Sequence, residues 1–237
     1  MKISVLALAW LLSATVNAAD LRVAVDQSTE MPWAEITEGA IVNGIHRDLG
    51  LALAARLGLQ AKFVVLPRKR VPILLSSGEV DVVCAMLPEW LPGPFLWTKP
   101  FLDSTDVVLT VRSATRPTSV ASLADVPLGT IVGFSYPTLE TALGSHFVRD
   151  DAPSADANLR KLELGRLQHV VTNQRLLDYR SRRNALKAPT YPPLVIVRQE
   201  MSCALSPRGH VSRDSMNQAI SSLRKSDALS RMLDAYR

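Results

Sequence analysis

Hydrophobic and polar positions follow two periods along the chain, and this alternation predicts strands and helices in turn. The apolar stretch LRVAV, which begins at Leu21, predicts a first strand. Beyond it, Leu49, Leu53 and Leu57 recur at helical spacing within GIHRDLGLALAARLGLQAKFVV. Gly58 can take the left-handed conformation that ends a helix, and AKFVV then predicts a second strand. A strand, a helix and a strand in this order form a βαβ unit with parallel strands.

A second unit of the same kind follows. The pattern predicts a short helix over Val71–Ser77, because Pro72 is tolerated in a first turn and Gly78 can terminate the helix. The segment VDVVCAM then predicts a buried strand. Around residues 100–106 the chain leaves this group of elements, and we expect a second group to begin at Val107.

The second group carries its own start and stop signals. Ser119 precedes a predicted short helix, GTIVG predicts a strand, and Pro137 suits the first turn of a helix that begins in SYPTLETAL. The pattern continues with a helix over residues 154–164, a strand in LQHVV, a helix over residues 173–183 and a strand in PLVIV. The alternation over the whole chain therefore predicts an α/β protein with two groups of elements.

Two amphipathic helices are predicted at the end of the chain, and each has one apolar face. The faces consist of Met216, Ala219, Ile220 and Leu223, and of Leu229, Met232, Leu233 and Tyr236. Ser212 and Ser226 are the predicted N-caps of these helices, because a serine hydroxyl can accept a hydrogen bond from a free backbone N–H.

The N-terminus has the features of an export signal in the expected order. Lys2 precedes an uncharged apolar run over residues 3–16, and Val16 and Ala18 fit the positions three and one before a cleavage point. The run is shorter than the roughly 20 residues that span a bilayer. We predict a signal peptide over residues 1–18, cleavage after Ala18 and a mature protein in the periplasm.

Composition narrows the function classes. A hydrophobic content of 47% supports packed cores, and a formal net charge of +5 favours an acidic ligand or simply solubility. Export, together with the lack of a Lys/Arg stretch interleaved with aromatic residues, argues against nucleic acid as a partner. The four histidines are dispersed without metal-ligand spacing, so we predict no metal and no cofactor.

The chain has two cysteines, Cys84 and Cys203. Because disulfides persist in the periplasm, one bridge between them is one expectation. Two buried thiols are an equal alternative, since Cys behaves as a small hydrophobic residue in strands such as DVVCAM.

Five segments in order carry a resemblance to a known family. After the βαβ segment that ends in AKFVV come SSGEVDVVCAM, WTKPFLDSTDVVLTVR, SVASLADVPLGTIVGFS and MNQAISSLRKSDALSRMLDAY. This order resembles the periplasmic solute-binding proteins of polar amino-acid ABC importers.

The resemblance implies a two-lobed type II periplasmic binding protein fold, with a central mixed sheet flanked by helices in each lobe. Lobe 1 would hold residues 19–106 and 201–237, and lobe 2 residues 107–200. Its topology would also place the strand of Cys84 beside MSCALSP, the segment of Cys203.

The resemblance further implies a ligand trapped between the lobes by strand ends and helix starts. The ligand-binding residues expected on this basis are Glu30, Trp33, Met86, Leu87, Glu89 and Trp90 on lobe 1, and Phe134, Ser135, Tyr136 and Asn173 on lobe 2. In GFSYP, the Ser135 hydroxyl and the backbone N–H groups of the following helix start would hold an oxygen atom of the ligand.

Two positions depart from the family pattern. The family's arginine, which grips an α-carboxylate, is missing from AMLPEWLPGPF, and the family's aspartate for the α-ammonium group falls near the neutral Asn173. We expect Arg70, in LPRKRVP, to replace the missing arginine, because a subset of the family carries an arginine nearby. Arg68 and Lys69 are expected to face solvent.

The sequence thus predicts a monomer that binds a small polar or anionic organic solute, amino-acid-like or a carboxylate, and delivers it to the membrane permease of an ABC importer. We expect no enzyme, because no spacing singles out a catalytic group and GFSYP lacks the second glycine of a serine hydrolase elbow. Two alternatives stay open. One is a dehydratase-like periplasmic enzyme on the same fold, with Glu89, Glu140 or Glu200 as its acid. The other is a ligand sensor that docks on a membrane receptor.

Overall fold

The computed structural model describes residues 19–236, so the predicted signal peptide and its cleavage after Ala18 lie outside the described residues. The strands in this part of the chain are β1 (Asp20–Asp26), β2 (Glu35–Thr37), β3 (Ala40–Asn43), β4 (Gln60–Leu66), β5 (Val82–Met86), β6 (Leu96–Trp97), β7 (Leu102–Thr110), β8 (Leu128–Ile131), β9 (Arg149–Ala152), β10 (His169–Asn173) and β11 (Leu194–Leu205). The α-helices are α1 (Ile45–Leu57), α2 (Val71–Ser77), α3 (Pro137–Leu143), α4 (Ala155–Glu163), α5 (Gln174–Arg182), α6 (Arg213–Lys225) and α7 (Ala228–Asp234). Over residues 19–236, no helix is long and apolar enough to cross a membrane.

One mixed sheet runs through the described chain in the order β4-β1-β5-β11-β7-β10-β8-β9, and β6 pairs with β11. At one end β1 is parallel to β4 and β5, and at the other end β8 is parallel to β9 and β10. The long strands β7 and β11 lie between these ends and are antiparallel to each other. Two parallel groups are therefore joined by two crossover strands.

The buried apolar residues divide in the same way. One set of clusters draws on β1, β4, β5, α1, α2 and the C-terminal helices, and it brings Leu21 and Leu53 together with Met216 and Ile220. The other set draws on β7, β8, β10 and helices α3 to α5, with Leu109 and Leu159 in one of its clusters. No residue belongs to both sets. The predicted α/β class and two-lobed architecture are confirmed, and the lobe limits at residues 106 and 200 stay a prediction.

Several helix ends lie where the sequence placed them. Gly58 ends α1 in the left-handed conformation, with φ 68°. The hydroxyl of Ser154 accepts a hydrogen bond from the N–H of Ala157 at the start of α4, and Ser212 caps α6 in the same way. The prediction for Ser226 is wrong, because its hydroxyl donates back to a carbonyl oxygen of α6 and Asp227 precedes α7.

The sequence pattern missed two features of the sheet. PLVIV and the segment of Cys203 belong to one strand, the 12-residue β11, because the polar residues between them continue the pairing with β7. The hairpin β2–β3 and the strand β9 were not predicted, since their segments of three or four residues are too short to show an alternation of apolar and polar residues. Arg149 to Ala152 pair only at the sheet edge, beside β8.

A disulfide joins two neighbouring strands of the first lobe. The Sγ atoms of Cys84 in β5 and Cys203 in β11 are bonded, 1.96 Å apart. The pairing of these strands shifts by a residue between Ser202 and Ala204, at the position of the bridge. The bond fixes β11, one of the two crossover strands, to the centre of the first lobe.

Candidate ligand-binding cleft

A cavity of about 170 Å³ lies between the lobes. Its lining comes from the carboxyl ends of β1, β5, β8 and β10 and from the crossover strands β7 and β11. Ligands of open α/β sheets bind outside the carboxyl ends of the strands, where the chain direction exposes loop residues and helix starts. The cavity is therefore the natural place for a small molecule in this fold.

Most of the residues predicted from the sequence meet at this cavity. Its lining includes Glu30, Trp33, Met86, Trp90, Phe134, Ser135, Tyr136 and Asn173. Leu87 and Glu89 line an adjoining pocket instead, with Trp90, Asp106 and Tyr136 on the walls of both. Arg70 lines neither.

Trp33 is held on the cavity wall by a tight loop. The N–H of His46, in the first turn of α1, donates to the Trp33 carbonyl oxygen at 2.8 Å. Gly44 lies at the start of the helix with φ 108°, and a Cβ there would lie 2.7 Å from the same oxygen. The indole packs near the His46 ring, with centroids 5.6 Å apart, and burial lowers the pKa of His46 to about 4. Trp33 is thus placed by backbone contacts that only a glycine allows.

The cavity takes its arginine from a different position than predicted. Arg68 lines it, and its guanidinium lies 4.9 Å from the centroid of Phe134 in the second lobe. The same group donates to the Trp90 carbonyl oxygen at 3.3 Å and contacts the sulfur of Met86 at 3.1 Å. Burial lowers the pKa of Arg68, and the carboxylate of Asp26 opposes this effect.

Arg70 lies on the exposed side of the same short turn. The sequence analysis predicts that Arg70 faces the ligand and that Arg68 faces solvent. The structure corrects both predictions, and the reason lies in the local geometry. The chain forms one turn of 3₁₀ helix over Arg68–Arg70 after Pro67, and residues two apart on such a turn point in different directions.

Asp26 ends β1 at the cavity and is 6% exposed. Its Oδ1 accepts hydrogen bonds from the N–H and the hydroxyl of Ser28, at 2.9 and 2.8 Å. Its Oδ2 is buried and accepts no hydrogen bond from the described residues. The hydroxyl oxygen of Thr172, at the end of β10 in the second lobe, is buried at the same cavity without a hydrogen-bond partner among the described residues. Each lobe therefore presents one unsatisfied polar atom.

Asp106 lies on the crossover strand β7, opposite Asn173 of β10. Its carboxylate accepts hydrogen bonds from the side-chain amides of Asn173, at 3.3 Å, and Gln199 of β11, at 3.2 Å. Burial raises the pKa of Asp106 to about 6, although the two amides act in the opposite direction. The Asn173 amide also donates to Ser104 at 2.9 Å, and its oxygen accepts from Arg175 N–H at the start of α5. The side chain of Asn173 therefore orients the Asp106 carboxylate and also caps helix α5.

Two further contacts bridge the lobes beside the cavity. The Oε2 atom of Glu30 accepts a hydrogen bond of 2.8 Å from the N–H of Asp156, in the first turn of α4. Burial raises the pKa of Glu30. On the same side, the guanidinium of Arg175 lies 5.9 Å from the centroid of Trp33. The lobes are in contact across the cleft, which is the closed arrangement of a two-lobed clamp.

The segment GFSYP differs in part from its predicted role. Ser135 lines the cavity, but the N–H of Tyr136 at the start of α3 donates to Glu140 at 3.0 Å. The Tyr136 hydroxyl accepts from the N–H of Ile131 at 2.9 Å, and burial raises the pKa of Tyr136. These bonds brace the wall of the cavity, so Tyr136 supports Phe134 and Ser135 there.

The sequence reasoning missed Asp26, Arg68, Asp106 and Thr172. Asp26 is the first acidic residue after a predicted buried strand, and this position at a strand end was a usable signal. The sequence places Asp106 at the predicted boundary between the lobes, where no adjacent motif indicates a ligand-binding residue. Its position in the cleft depends on the register of β7 against β10 and β11, which adjacent residues do not reveal.

No protein-family model matches the chain, and no curated protein sequence matches it. Solved structures do match. An ancestral arginine-binding protein bound to arginine superposes with a TM-score of 0.77 at 18% identity, over 93% of this chain and 99% of that one. A substrate-binding protein of an ABC uptake transporter from Streptococcus pneumoniae, with bound histidine, gives 0.76 at 14% identity, over 92% of each chain. An ancestral amino acid-binding protein, a precursor of cyclohexadienyl dehydratase, gives 0.73 at 17% identity, over 92% of this chain and 95% of that one. The chain therefore has the two-lobed fold of type II periplasmic binding proteins.

Proposed function

We propose that the protein binds a small, amino-acid-like organic solute between its lobes and delivers it to the membrane permease of an ABC importer. The observation that carries this proposal is the cavity between two lobes in contact, lined by polar groups from both. Three solved structures of the same fold are described as an arginine-binding protein, an amino acid-binding protein and a substrate-binding protein with bound histidine. A clamp of this kind releases its solute when the lobes separate.

The proposed place of action is the periplasm. The charge, apolar run and small residues of the N-terminus support export. The disulfide between Cys84 and Cys203 also supports an oxidising compartment. We propose a monomer there, because a clamp of this kind holds its ligand within one chain.

A thermal-shift screen of the purified, dialysed protein against amino acids, dicarboxylates, aromatic acids and sugars tests the proposal. A bound solute raises the melting temperature as its concentration exceeds the dissociation constant. We expect a shift with at least one amino-acid-like compound, confirmed by calorimetric titration. Phe134→Ala should weaken that binding, whereas Leu164→Ala, at an exposed position of the second lobe, should leave it unchanged. No shift with any compound would overturn the proposal.

A second candidate function is a dehydratase-like enzyme, and Asp106 favours it. A carboxyl group whose pKa burial raises to about 6 is suited to donate a proton near neutral pH. The structural relative described as a precursor of cyclohexadienyl dehydratase has the same fold. Mass spectrometry of each stabilising compound after incubation separates the two functions. An enzyme would convert the compound and lose that activity in Asp106→Asn, whereas a binding protein would return it unchanged.

A further inference from the structure

The ionisable side chains that line the cavity include more acidic than basic groups. Of the described residues that line it, Asp26, Glu30 and Asp106 are acidic, and Arg68 and His46 are basic. His46 is neutral at pH 7, because burial lowers its pKa to about 4. The cavity of a chain with net positive charge therefore holds more acidic than basic groups.

Two of the charged groups have their own partners in the protein. Glu30 accepts the N–H of Asp156 at the start of α4, where the helix dipole favours a negative charge. Arg68 stacks on Phe134, donates to the Trp90 carbonyl oxygen and is stabilised by the charge of Asp26. A cation stacked on a ring and bonded to a carbonyl is less in need of a ligand carboxylate than a free one.

Asp106 has no such counter-charge. Its two oxygens accept long hydrogen bonds from the neutral amides of Asn173 and Gln199, and no Lys, Arg or His among the described residues forms an ion pair with it. Asp106 is only partly exposed, and a partly buried carboxylate with neutral partners alone is stabilised when a cation pairs with it.

A second carboxylate at the cavity also lacks a charged hydrogen-bond partner. The Oδ2 atom of Asp26, on a residue 6% exposed, lies at the cavity with no hydrogen-bond donor among the described residues. A carboxylate oxygen can only accept, so a donor on the ligand would satisfy it. The hydroxyl of Thr172 is available in the opposite lobe to accept or donate a further bond. The cavity therefore offers a carboxylate oxygen and a hydroxyl that the described residues leave without hydrogen-bond partners.

We propose, building on the proposed binding function, that the solute carries a protonated nitrogen and that Asp106 on the crossover strand is its counter-charge. Asn173 acts as a positioning residue, because its amide orients the Asp106 carboxylate. The nitrogen is attached to an apolar or aromatic body, since Trp33, Trp90 and Phe134 form the walls around it.

The test uses probes in matched sets of three. Each set contains an amino acid, the amine that lacks its carboxyl group and the acid that lacks its amino group. The sets are phenylalanine, 2-phenylethylamine and 3-phenylpropionate; and leucine, 3-methylbutylamine and 4-methylpentanoate. Thermal shift and calorimetric titration are measured near pH 7.5 for the unmodified protein, for Asp106→Asn and for Asp103→Asn. Asp103 is the matched control, because it is exposed on the same strand.

We expect at least one amine to bind, and its affinity to fall by about tenfold to a hundredfold in Asp106→Asn, the range for a charge-assisted hydrogen bond. Asp103→Asn should bind like the unmodified protein. Binding of carboxylates without a protonated nitrogen, with no amine bound, would overturn this proposal and leave the binding function intact. An unchanged amine affinity in Asp106→Asn would also overturn it. No binding by any probe or any compound of the wider screen would overturn both. If Asp106→Asn does not fold, Asp26→Asn and Asn173→Ala replace it, and each should weaken the same amine.

Discussion

The carboxylate of Glu30 in the first lobe accepts a hydrogen bond of 2.8 Å from the backbone N–H of Asp156 in the second lobe. The donor lies in the first turn of α4, whose free N–H groups carry partial positive charge. Asp156 in turn forms an ion pair with Arg180 of α5, so the partner of Glu30 is itself fixed. The bond spans the cleft and must break when the lobes separate.

We expect Glu30→Ala to weaken ligand affinity by about tenfold, because the closed form loses a charge-assisted hydrogen bond. Glu30→Gln keeps an accepting oxygen and should lose less. Calorimetric titration measures the affinities, and small-angle scattering of the ligand-bound protein should show a larger radius for Glu30→Ala. Glu35→Ala is the control, since Glu35 is exposed on β2. Equal affinity for Glu30→Ala and the unmodified protein would contradict a role in closure.

Asp106 should make the ligand-free protein less stable as the pH rises. Burial raises its pKa in the folded protein to about 6, from 3.8 in the unfolded chain. Between these values the folded state binds more protons than the unfolded state, so stability falls with increasing pH and levels off above about pH 6. Asp106→Asn removes this loss, and its free energy of unfolding at neutral pH should exceed that of the unmodified protein by roughly 1 to 3 kcal/mol.

Denaturant unfolding of both proteins from about pH 4 to 8 checks this sign. His46 contributes the opposite slope, because its lowered pKa makes the folded protein lose stability as the pH falls below about 6.5. The difference in unfolding free energy between the two proteins removes the contribution of His46, because His46 is present in both. A difference that stays constant over the pH range, or one of the same size in Asp103→Asn, would refute the assignment to Asp106.

Gly44→Ala should destabilise the protein and disturb the position of Trp33. A Cβ at Gly44 would lie 2.7 Å from backbone atoms of Trp33 and Ala34, and backbone cannot turn away as a side chain can. Gly39→Ala is the matched control, because Gly39 also has a positive φ but nothing lies within 4 Å of its Cβ position. We expect Gly44→Ala to lose about 1 to 3 kcal/mol more than Gly39→Ala. Thermal unfolding measures the loss. The difference in tryptophan fluorescence between the two variants reports the change around Trp33, since Trp90 and Trp97 are common to both. Equal losses would show that strain in φ alone matters.

Loss of the disulfide should lower stability strongly. The bond between Cys84 and Cys203 closes a loop with a sequence separation of 119, and such a loop restricts the unfolded chain considerably. The double variant Cys84→Ala, Cys203→Ala should lose about 2 to 5 kcal/mol of unfolding free energy. Thiol titration of the denatured, unreduced protein should detect no free sulfhydryl groups, and finding two would refute the bond.

The local features of the fold could be predicted from the sequence because they depend on neighbouring residues. Gly58, Ser154 and Ser212 act within one helical turn of their own positions, and all three lie where the pattern placed them. Strand β9 was missed because its residues Arg149–Ala152 are polar, and only pairing with β8 makes them a strand.

The site was less predictable because charge and direction depend on distant contacts. Aromatic residues such as Trp33 and Phe134 could be placed at the cavity from their position after a strand. The choice between Arg68 and Arg70 depended on how one short turn faces the other lobe. The role of Asp106 depended on strand register across the crossover, and the absence of an acid at Asn173 gave no hint of a replacement.

The return of β11 to the centre of the first lobe sets an order for maturation. The sheet of that lobe places β11 beside β5, so β5 has an open edge until the chain has been synthesised as far as Leu205. The second lobe already has all its strands once the early part of β11 has emerged. The lobe that is synthesised first is thus completed last, and its cysteines can be oxidised to the native pair only at that final stage.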